Sequence, residues 1–387
     1  LLHKGALVEG LPGWDGGRAR TVQFFDWDHP DNNTFRVINQ FKVEEPGGQA
    51  HKHIIPDLVL FVNGIPLVVV EAKSPYVAAP MEEAIQQLQR YANQRHWVDG
   101  HEGNERLFFT SQFLVATCFD QARVGTIGAS AHHFMEWKDT APVPMKDVAK
   151  ALGKEKLSRQ ETLIAGMLRP AHLLDIVRHF TLFMVNTGKT IKVVCRYQQF
   201  RAVQNAVGRL VTGKTKAQDG EHDRRGGIVF HTQGSGKSLT MVFLVRKMRT
   251  SEALRRFKVV VVTDRKDLQK QLSDTAELSG ETVKVARKIA KVKTLLAEKG
   301  PGLVFAMIQK YQERDLEPGE DDEQSDEDGT DTQATAADLL LDGLYECERA
   351  GLAVVGHTHD EIMLESSRPK RDAALLKEIQ AARGVTP

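Results

Sequence analysis

Long apolar runs are missing from this 387-residue chain, and none approaches the length needed to span a bilayer. No apolar core follows Lys4, so the N-terminus does not read as a signal peptide. Cysteine is scarce. Cys118, Cys195 and Cys347 stand singly, which excludes a disulfide framework and zinc-ligand spacing and fits a reducing, cytoplasmic setting. A dominant charge is lacking too: 52 Lys and Arg balance 51 Asp and Glu, leaving +1. That balance sums unlike parts, because basic residues concentrate between about 189 and 293 and acids between 313 and 331. The basic stretch can track phosphates or be ordinary solvated surface. What is present, 41% hydrophobic and 27% charged residues, is ordinary for globular protein, and the length suffices for two or three domains. The first residue is Leu1 rather than Met, as expected of a fragment.

The pattern predicts an α/β protein. Residues 35–43 alternate loosely with period two, and 58–62 and 67–70 are apolar runs of strand length. Asn63-Gly64 between them is a hairpin turn pair, since both central positions of a type I′ turn need positive φ. A helix is expected after Pro80, with Met81, Ala84, Ile85, Leu88 and Tyr91 on one face, and a strand at 113–117. These elements predict a compact domain over residues 1–165. Residues 166–187 have helical spacing. Beyond them, strands expected at 191–195, 227–231, 259–263 and 303–308 alternate with helices at 197–210, 238–250 and 267–278, the pattern of a parallel sheet wrapped by helices. A second domain is thus expected over 166–312, an acidic linker over 313–333 and a short αβ segment over 334–387.

Asp57 is expected at the start of one strand, with Glu71 and Lys73 at the end of the next. Residues two apart in a strand share a face, so Glu71 and Lys73 project together while Ala72 turns the other way, into the core. The hairpin brings Asp57 near Glu71. Two carboxylates and the Ala72 carbonyl offer hard oxygen ligands to Mg²⁺, and Lys73 can assist a water attacking a phosphodiester. Asp with Glu-x-Lys also fits a surface hairpin bearing a salt bridge. Gln87 and Tyr91 fall four apart, on one helix face. Ile55-Pro56-Asp57, Val70-Glu71-Ala72-Lys73 and Gln87-Leu88-Gln89-Arg90-Tyr91 resemble the PD-(D/E)xK nuclease pattern with its Gln-x-x-x-Tyr addition. More narrowly, residues 61–73 resemble the restriction (R) subunit of type I restriction–modification enzymes. The resemblance implies that Asp57 and Glu71 bind Mg²⁺, that Lys73 assists catalysis, and that Gln87 and Tyr91 support DNA contact nearby. It implies double-stranded DNA as substrate, and modification and specificity subunits as partners.

His231-Thr232-Gln233-Gly234-Ser235-Gly236-Lys237-Ser238 follows an expected strand and opens an expected helix. In such a loop, backbone N–H groups curl around ATP phosphates, Lys237 reaches the β and γ phosphates and Ser238 offers a hydroxyl to Mg²⁺. His231 departs from the usual Gly. Arg196-Tyr197-Gln198-Gln199 resembles the adenine-reading Q motif of superfamily 2 helicases, whose first lobe is RecA-like; Gln198 and Gln199 cannot be told apart by sequence. Val261-Val262-Thr263-Asp264-Arg265 resembles the next helicase motif, which would place Asp264 and Arg265 at the DNA backbone, and Met307-Ile308-Gln309-Lys310 resembles the one after. An Asp-Glu-Ala-His box and a second lobe, expected of a full motor, are not evident. His359-Asp360-Glu361 instead resembles the tail of a family A DNA polymerase, a likeness covering about fifty residues. ATP binding is therefore expected, with hydrolysis weak or absent.

Overall fold

A computed structural model describes residues 2–10, 13, 15–44, 53–95, 102–186, 189–232, 235–263, 282–286 and 289–307. The chain divides into two compact units, residues 1–204 and 205–387. The 267–278 helix, the 313–333 linker and the 334–387 segment lie outside the described residues, as do Gln233, Gly234, Asp264, Arg265, His359, Asp360 and Glu361. No described helix is long and apolar enough to cross a membrane.

In the first unit, β1 (Ala6–Val8) and β2 (Arg20–Val22) form a short antiparallel ribbon. The main strands are β3 (Phe35–Asn39), β6 (Leu58–Val62), β7 (Ile65–Ala72), β8 (Phe113–Cys118) and β9 (Gln121–Gly125), hydrogen-bonded in that order into one sheet. Two further short strands, β4 (Val43–Glu44) and β5 (His53–Ile54), pair beside it. β6 and β7 are joined through Asn63 and Gly64, with φ of 50° and 81°, the double positive φ of a type I′ turn. The Asn63 side chain fixes the hairpin to the preceding segment, accepting from Thr34 N–H and donating to the Phe24 carbonyl and to Asn33 Oδ1. β7 and β8 are parallel, and the crossover between them contains α1 (Pro80–Tyr91). Pro80 at the first position suits a helix start, where its missing N–H costs nothing. Met81, Ala84, Ile85, Leu88 and Tyr91 are buried in one cluster with Val59, Val69, Leu114 and Ala116 of the sheet, so α1 covers one sheet face.

Three sequence expectations are corrected in this unit. β3 ends at Asn39 because Gln40 takes a left-handed φ of 51° that no strand continues through. Ala72 is exposed and Glu71 buried, because the face shared by Val69 and Glu71 is the one under α1. The expected helix over 166–187 is shorter. A π-helical turn at Ile164–Leu168 precedes α4 (Pro170–His179), and Thr181–Asn186 is a strand, β10, paired antiparallel with β11 (Lys189–Val194). The apolar residues there satisfy either period, and pairing with β11 decides for the strand. Two small helices, α2 (Met145–Ala151) and α3 (Arg159–Leu163), precede this segment, and α5 (Tyr197–Thr212) follows it.

In the second unit, after the short α6 (Lys216–Asp219), α7 (Lys237–Thr250) leads to three parallel strands, β12 (Lys258–Thr263), β13 (Val283–Ala286) and β14 (Gly302–Met307), in the order β12-β14-β13. The helix α8 (Ile289–Ala297) contributes Leu295 to a cluster with Ala286, Val304 and Ala306. Arg249 ties α7 to the sheet ends, donating to the Phe257 and Gly302 carbonyls at 2.7 and 3.0 Å. The expected strand at 227–231 does not form. That segment has no ladder partner among the described residues, and Phe230 is 72% exposed. Apolar composition gives a segment strand propensity but not a neighbour to pair with.

The packing of α1 on the sheet predicts that Ile85→Ala, at a fully buried position, lowers unfolding stability by about 2–5 kcal/mol. A matching fall in the urea midpoint, with unchanged slope, is the expected result.

Candidate active site

Asp57 immediately precedes β6, and Glu71 lies near the end of β7. The two strands pair Leu58 with Val70, which puts the carboxylates on neighbouring strands. The Asp57 carboxylate bridges the strands, with Oδ2 accepting from Ala72 N–H at 2.8 Å and Oδ1 accepting from Gln40 Nε2 at 2.8 Å. Each oxygen keeps a second lone pair for another ligand. The turn at Gln40 that ends β3 serves this contact, and Gln40 N–H also donates to the Asp57 carbonyl at 2.9 Å. Gln40 is therefore part of the site, although nothing in the sequence pointed to it. A left-handed φ at a glutamine has no compositional signature.

Glu71 is only 2% exposed. Its Oε1 accepts from Lys73 Nζ at 2.7 Å. Its Oε2 is buried with no hydrogen-bond partner among the described residues. Burial pushes the Glu71 carboxyl above its ordinary value; the Lys73 hydrogen bond opposes this, and the nearby Asp57 charge adds to the rise. Lys73 is held from two sides, since Nζ also donates to Gln87 Oε1 at 2.7 Å. The Gln87 amide in turn donates through Nε2 to Tyr91 Oη, and Tyr91 Oη donates to the Ile55 carbonyl at 3.2 Å. Two acceptors hold the Lys73 ammonium, and the Gln87 amide accepts from Lys73 and donates to Tyr91, which sets the amide's orientation. Tyr91 is 3% exposed and burial raises its phenol pKa. The buried Tyr91 and half-buried Gln87 thus hold Lys73 through this hydrogen-bonded chain. The ion pair between Lys73 and Glu71 that a salt-bridged hairpin would carry is present, but its carboxylate is buried rather than on the surface.

An unpartnered buried carboxylate oxygen is costly, and a cation or a proton would satisfy it. Asp57 and Glu71 are the residues that can hold one. Among the described residues no group of three or more His, Cys, Asp or Glu side chains could hold a metal, so any ion here rests on these two carboxylates, backbone oxygens and water.

The phosphate-loop residues that are described form a turn opening α7. Gly236 has φ of 83°, a conformation that favours glycine. It stands at the N-cap of α7, which has no side-chain cap hydrogen bond. Lys237 Nζ curls back to the His231 carbonyl at 3.2 Å. Ser235 is buried, its N–H bonded to the Thr232 carbonyl and its Oγ without a partner among the described residues. Thr232 is exposed, and Ser238 is half-buried in the first turn of α7. The structure separates the two glutamines that sequence could not. Gln199 is buried and its Oε1 accepts from Arg196 N–H at 2.7 Å, a local cap at the start of α5. Gln198 lines a cavity, and its buried Oε1 has no partner among the described residues.

The raised Glu71 pKa gives a signed expectation. Ionising a group whose folded pKa is raised destabilises the fold, so this contribution to stability is full at low pH and is lost as pH rises from about 4.5, the ordinary value, through the folded value. Glu71→Gln removes that loss. In the presence of EDTA, the melting temperature of Glu71→Gln relative to the parent should climb as pH rises through this range and level off above it; a difference that is flat across the range would refute the buried ionisable role.

Two family models match the chain. A model described as the N terminus of the type I restriction enzyme R protein matches residues 1–133. One described as SWI2/SNF2 ATPase matches residues 198–347, beginning at Gln198 and including Lys237. Both matches end before His359-Asp360-Glu361. Among curated proteins, the type I restriction enzyme HindI endonuclease subunit of Haemophilus influenzae is 33% identical over 318 residues, 80% of this chain and 28% of that protein. A protein of Methanocaldococcus jannaschii, provisionally named type I restriction enzyme MjaIXP endonuclease subunit, is 28% identical over 305 residues, 76% of this chain and 28% of its own length. The chain therefore spans 28% of the length of these relatives. It is homologous over that span to the endonuclease subunits of type I restriction enzymes, with a SWI2/SNF2-type, RecA-like ATP-binding region from residue 198.

Proposed function

We propose that residues 1–165 form a PD-(D/E)xK-type nuclease domain that cleaves DNA phosphodiesters with Mg²⁺ held by Asp57 and Glu71. The observation that carries this reading is the unpartnered, buried Glu71 Oε2 beside the doubly held Lys73 ammonium. A bound Mg²⁺ would polarise the phosphoryl oxygen and acidify a water. Asp57, fixed by Ala72 N–H and Gln40, presents its remaining lone pairs along one side of the site. Lys73 offsets charge developing on the phosphate and orients the attacking water. Gln87 and Tyr91 keep Lys73 in place.

The region 166–312 is read as the ATP-binding lobe of a DNA motor. Gln198 meets the adenine, with Gln199 bracing the start of α5 behind it. The loop from Thr232 to Ser238, with Gln233, Gly234, Ser235 and Gly236, would receive the phosphates, Lys237 would pair with them, and Ser238 would offer its hydroxyl to a second Mg²⁺. On resemblance, Asp264 and Arg265 contact the DNA backbone. In a full-length cytoplasmic enzyme this lobe would couple ATP hydrolysis to movement of double-stranded DNA, alongside modification and specificity subunits.

Two expectations follow from the geometry. Lys73→Ala should reduce Mg²⁺-dependent nicking of plasmid DNA by about 10²–10³-fold with the circular dichroism spectrum unchanged; full cleavage by the variant would remove Lys73 from the chemistry. Lys237→Ala should abolish binding of a fluorescent ATP analogue measured by anisotropy, and retained affinity would mean that the loop does not hold phosphate.

A further inference from the structure

The two most exposed large apolar side chains among the described residues are Tyr76, at 97%, and Phe119, at 78%. Single exposed apolar residues are ordinary on a protein surface. These two are not scattered. β6 runs antiparallel to β7 and β8 runs parallel to it, so the start of β6 and the ends of β7 and β8 lie at one end of the sheet. Asp57 precedes β6, Lys73 and the turn over 74–77 follow β7, and Phe119 follows β8. Lys73 N–H donates to the Thr117 carbonyl at 2.9 Å. Phe119 is two residues beyond Thr117, which puts its backbone within roughly 10 Å of Lys73.

Both rings are carried on ordered turns. Val77 N–H donates to the Ser74 carbonyl at 3.2 Å, and Pro75 takes the second position, where its fixed φ suits a turn. Tyr76 is the third residue, and its N–H meets Ser74 Oγ at 3.3 Å. Phe119 and Asp120 form the two-residue link between β8 and β9. Phe119 has a φ of 49°, in a place where glycine is usual, so backbone geometry alone would not choose a bulky ring here. The link is braced from α3: Gln160 N–H donates to the Asp120 carbonyl at 3.0 Å, and Gln160 Nε2 to Thr117 Oγ1 at 2.7 Å. Two rings thus stand in solvent on fixed supports, one of them at a backbone cost and with little packing in return.

Glu82 and Glu83, in the first turn of α1, and Asp120 are exposed at the same end of the sheet, so attraction for phosphate is opposed there. Aromatic rings instead offer flat faces, on which any base can stack. Bases inside a duplex are already stacked on one another; unpaired bases are free to use the rings. We propose that Tyr76 and Phe119 form a stacking rim that takes unpaired bases of the strand entering the Asp57/Glu71/Lys73 site, so that the site acts on a locally opened stretch of DNA. This rests on the reading of that site as a nuclease. The rings hold the strand and touch no reacting atom.

The test uses the full chain in EDTA, which prevents metal-dependent cleavage, and a single-stranded oligonucleotide carrying 5-iodouracil. Ultraviolet crosslinks in the parent chain should map to the peptides holding Tyr76 and Phe119. Fluorescence anisotropy should show affinity falling about tenfold in Tyr76→Ala and in Phe119→Gly, and little changed in Tyr76→Phe and Phe119→Tyr, which keep the rings. Phe119→Gly frees the left-handed backbone, so its melting temperature should hold or rise, which separates lost stacking from lost folding. A fall would make Phe119 a structural residue and overturn its assignment. Crosslinks at neither turn would overturn the proposal, as would parental affinity in both Tyr76→Ala and Phe119→Gly, or an equal loss in the variants that keep the rings. If the rings bind as stated while the parent chain never cleaves DNA with Mg²⁺, the rim stands and the nuclease reading alone fails. If the parent cleaves and the variants lacking a ring bind as it does, the rim alone fails.

Discussion

Burying a carboxylate under a helix is costly unless something meets its charge, and the first unit is arranged around that constraint. Glu71 sits at the end of β7 where the strand passes beneath α1. One of its oxygens takes the Lys73 ammonium, two residues along the chain and just past the strand end. That ammonium is kept from swinging to solvent by Gln87, Gln87 by Tyr91, and Tyr91 by the Ile55 carbonyl two residues before Asp57. The loop closes on Asp57, which accepts from Ala72 N–H between Glu71 and Lys73. The hairpin turn, the crossover helix and the segment leading into β6 therefore meet in one hydrogen-bonded circuit. Within it, Glu71 Oε2 is buried without a hydrogen-bond partner among the described residues.

Much of this was legible in the sequence, for physical reasons. Asn63-Gly64 announced the hairpin because few other pairs tolerate two positive φ angles. The period of two placed Glu71 and Lys73 on one face, and the helical period placed Gln87 and Tyr91 one turn apart. What the periods could not say was which face is inside. The sequence reading turns Ala72 into the core, yet Ala72 is exposed and Glu71 buried because α1 lies on the Glu71 side. Gln40 was invisible for another reason. Its role depends on a backbone turn that lets it reach Asp57, a contact seventeen positions away along the chain.

The nucleotide-binding region shows the same division. The helix opening at Lys237 and the parallel strands β12 and β14 were readable from apolar runs and from glycine. The apolar run at 227–231 read equally well as a strand, yet it lacks a ladder partner among the described residues. Strand propensity is a statement about one segment, whereas a sheet is a statement about two. The adjacent glutamines at 198 and 199 illustrate the limit from the other side: identical residues acquire different tasks once helix geometry turns one to the backbone and the other to a cavity.

The central claim is that the unfilled oxygen of Glu71 is a cation ligand. It is tested most directly by titrating the nucleotide-free chain with Mn²⁺, as a spectroscopic stand-in for Mg²⁺, and counting bound ions by electron paramagnetic resonance. The account predicts saturable binding that is lost in Glu71→Gln and sharply weakened in Asp57→Asn. Binding of equal strength in the parent chain and in Glu71→Gln would contradict it.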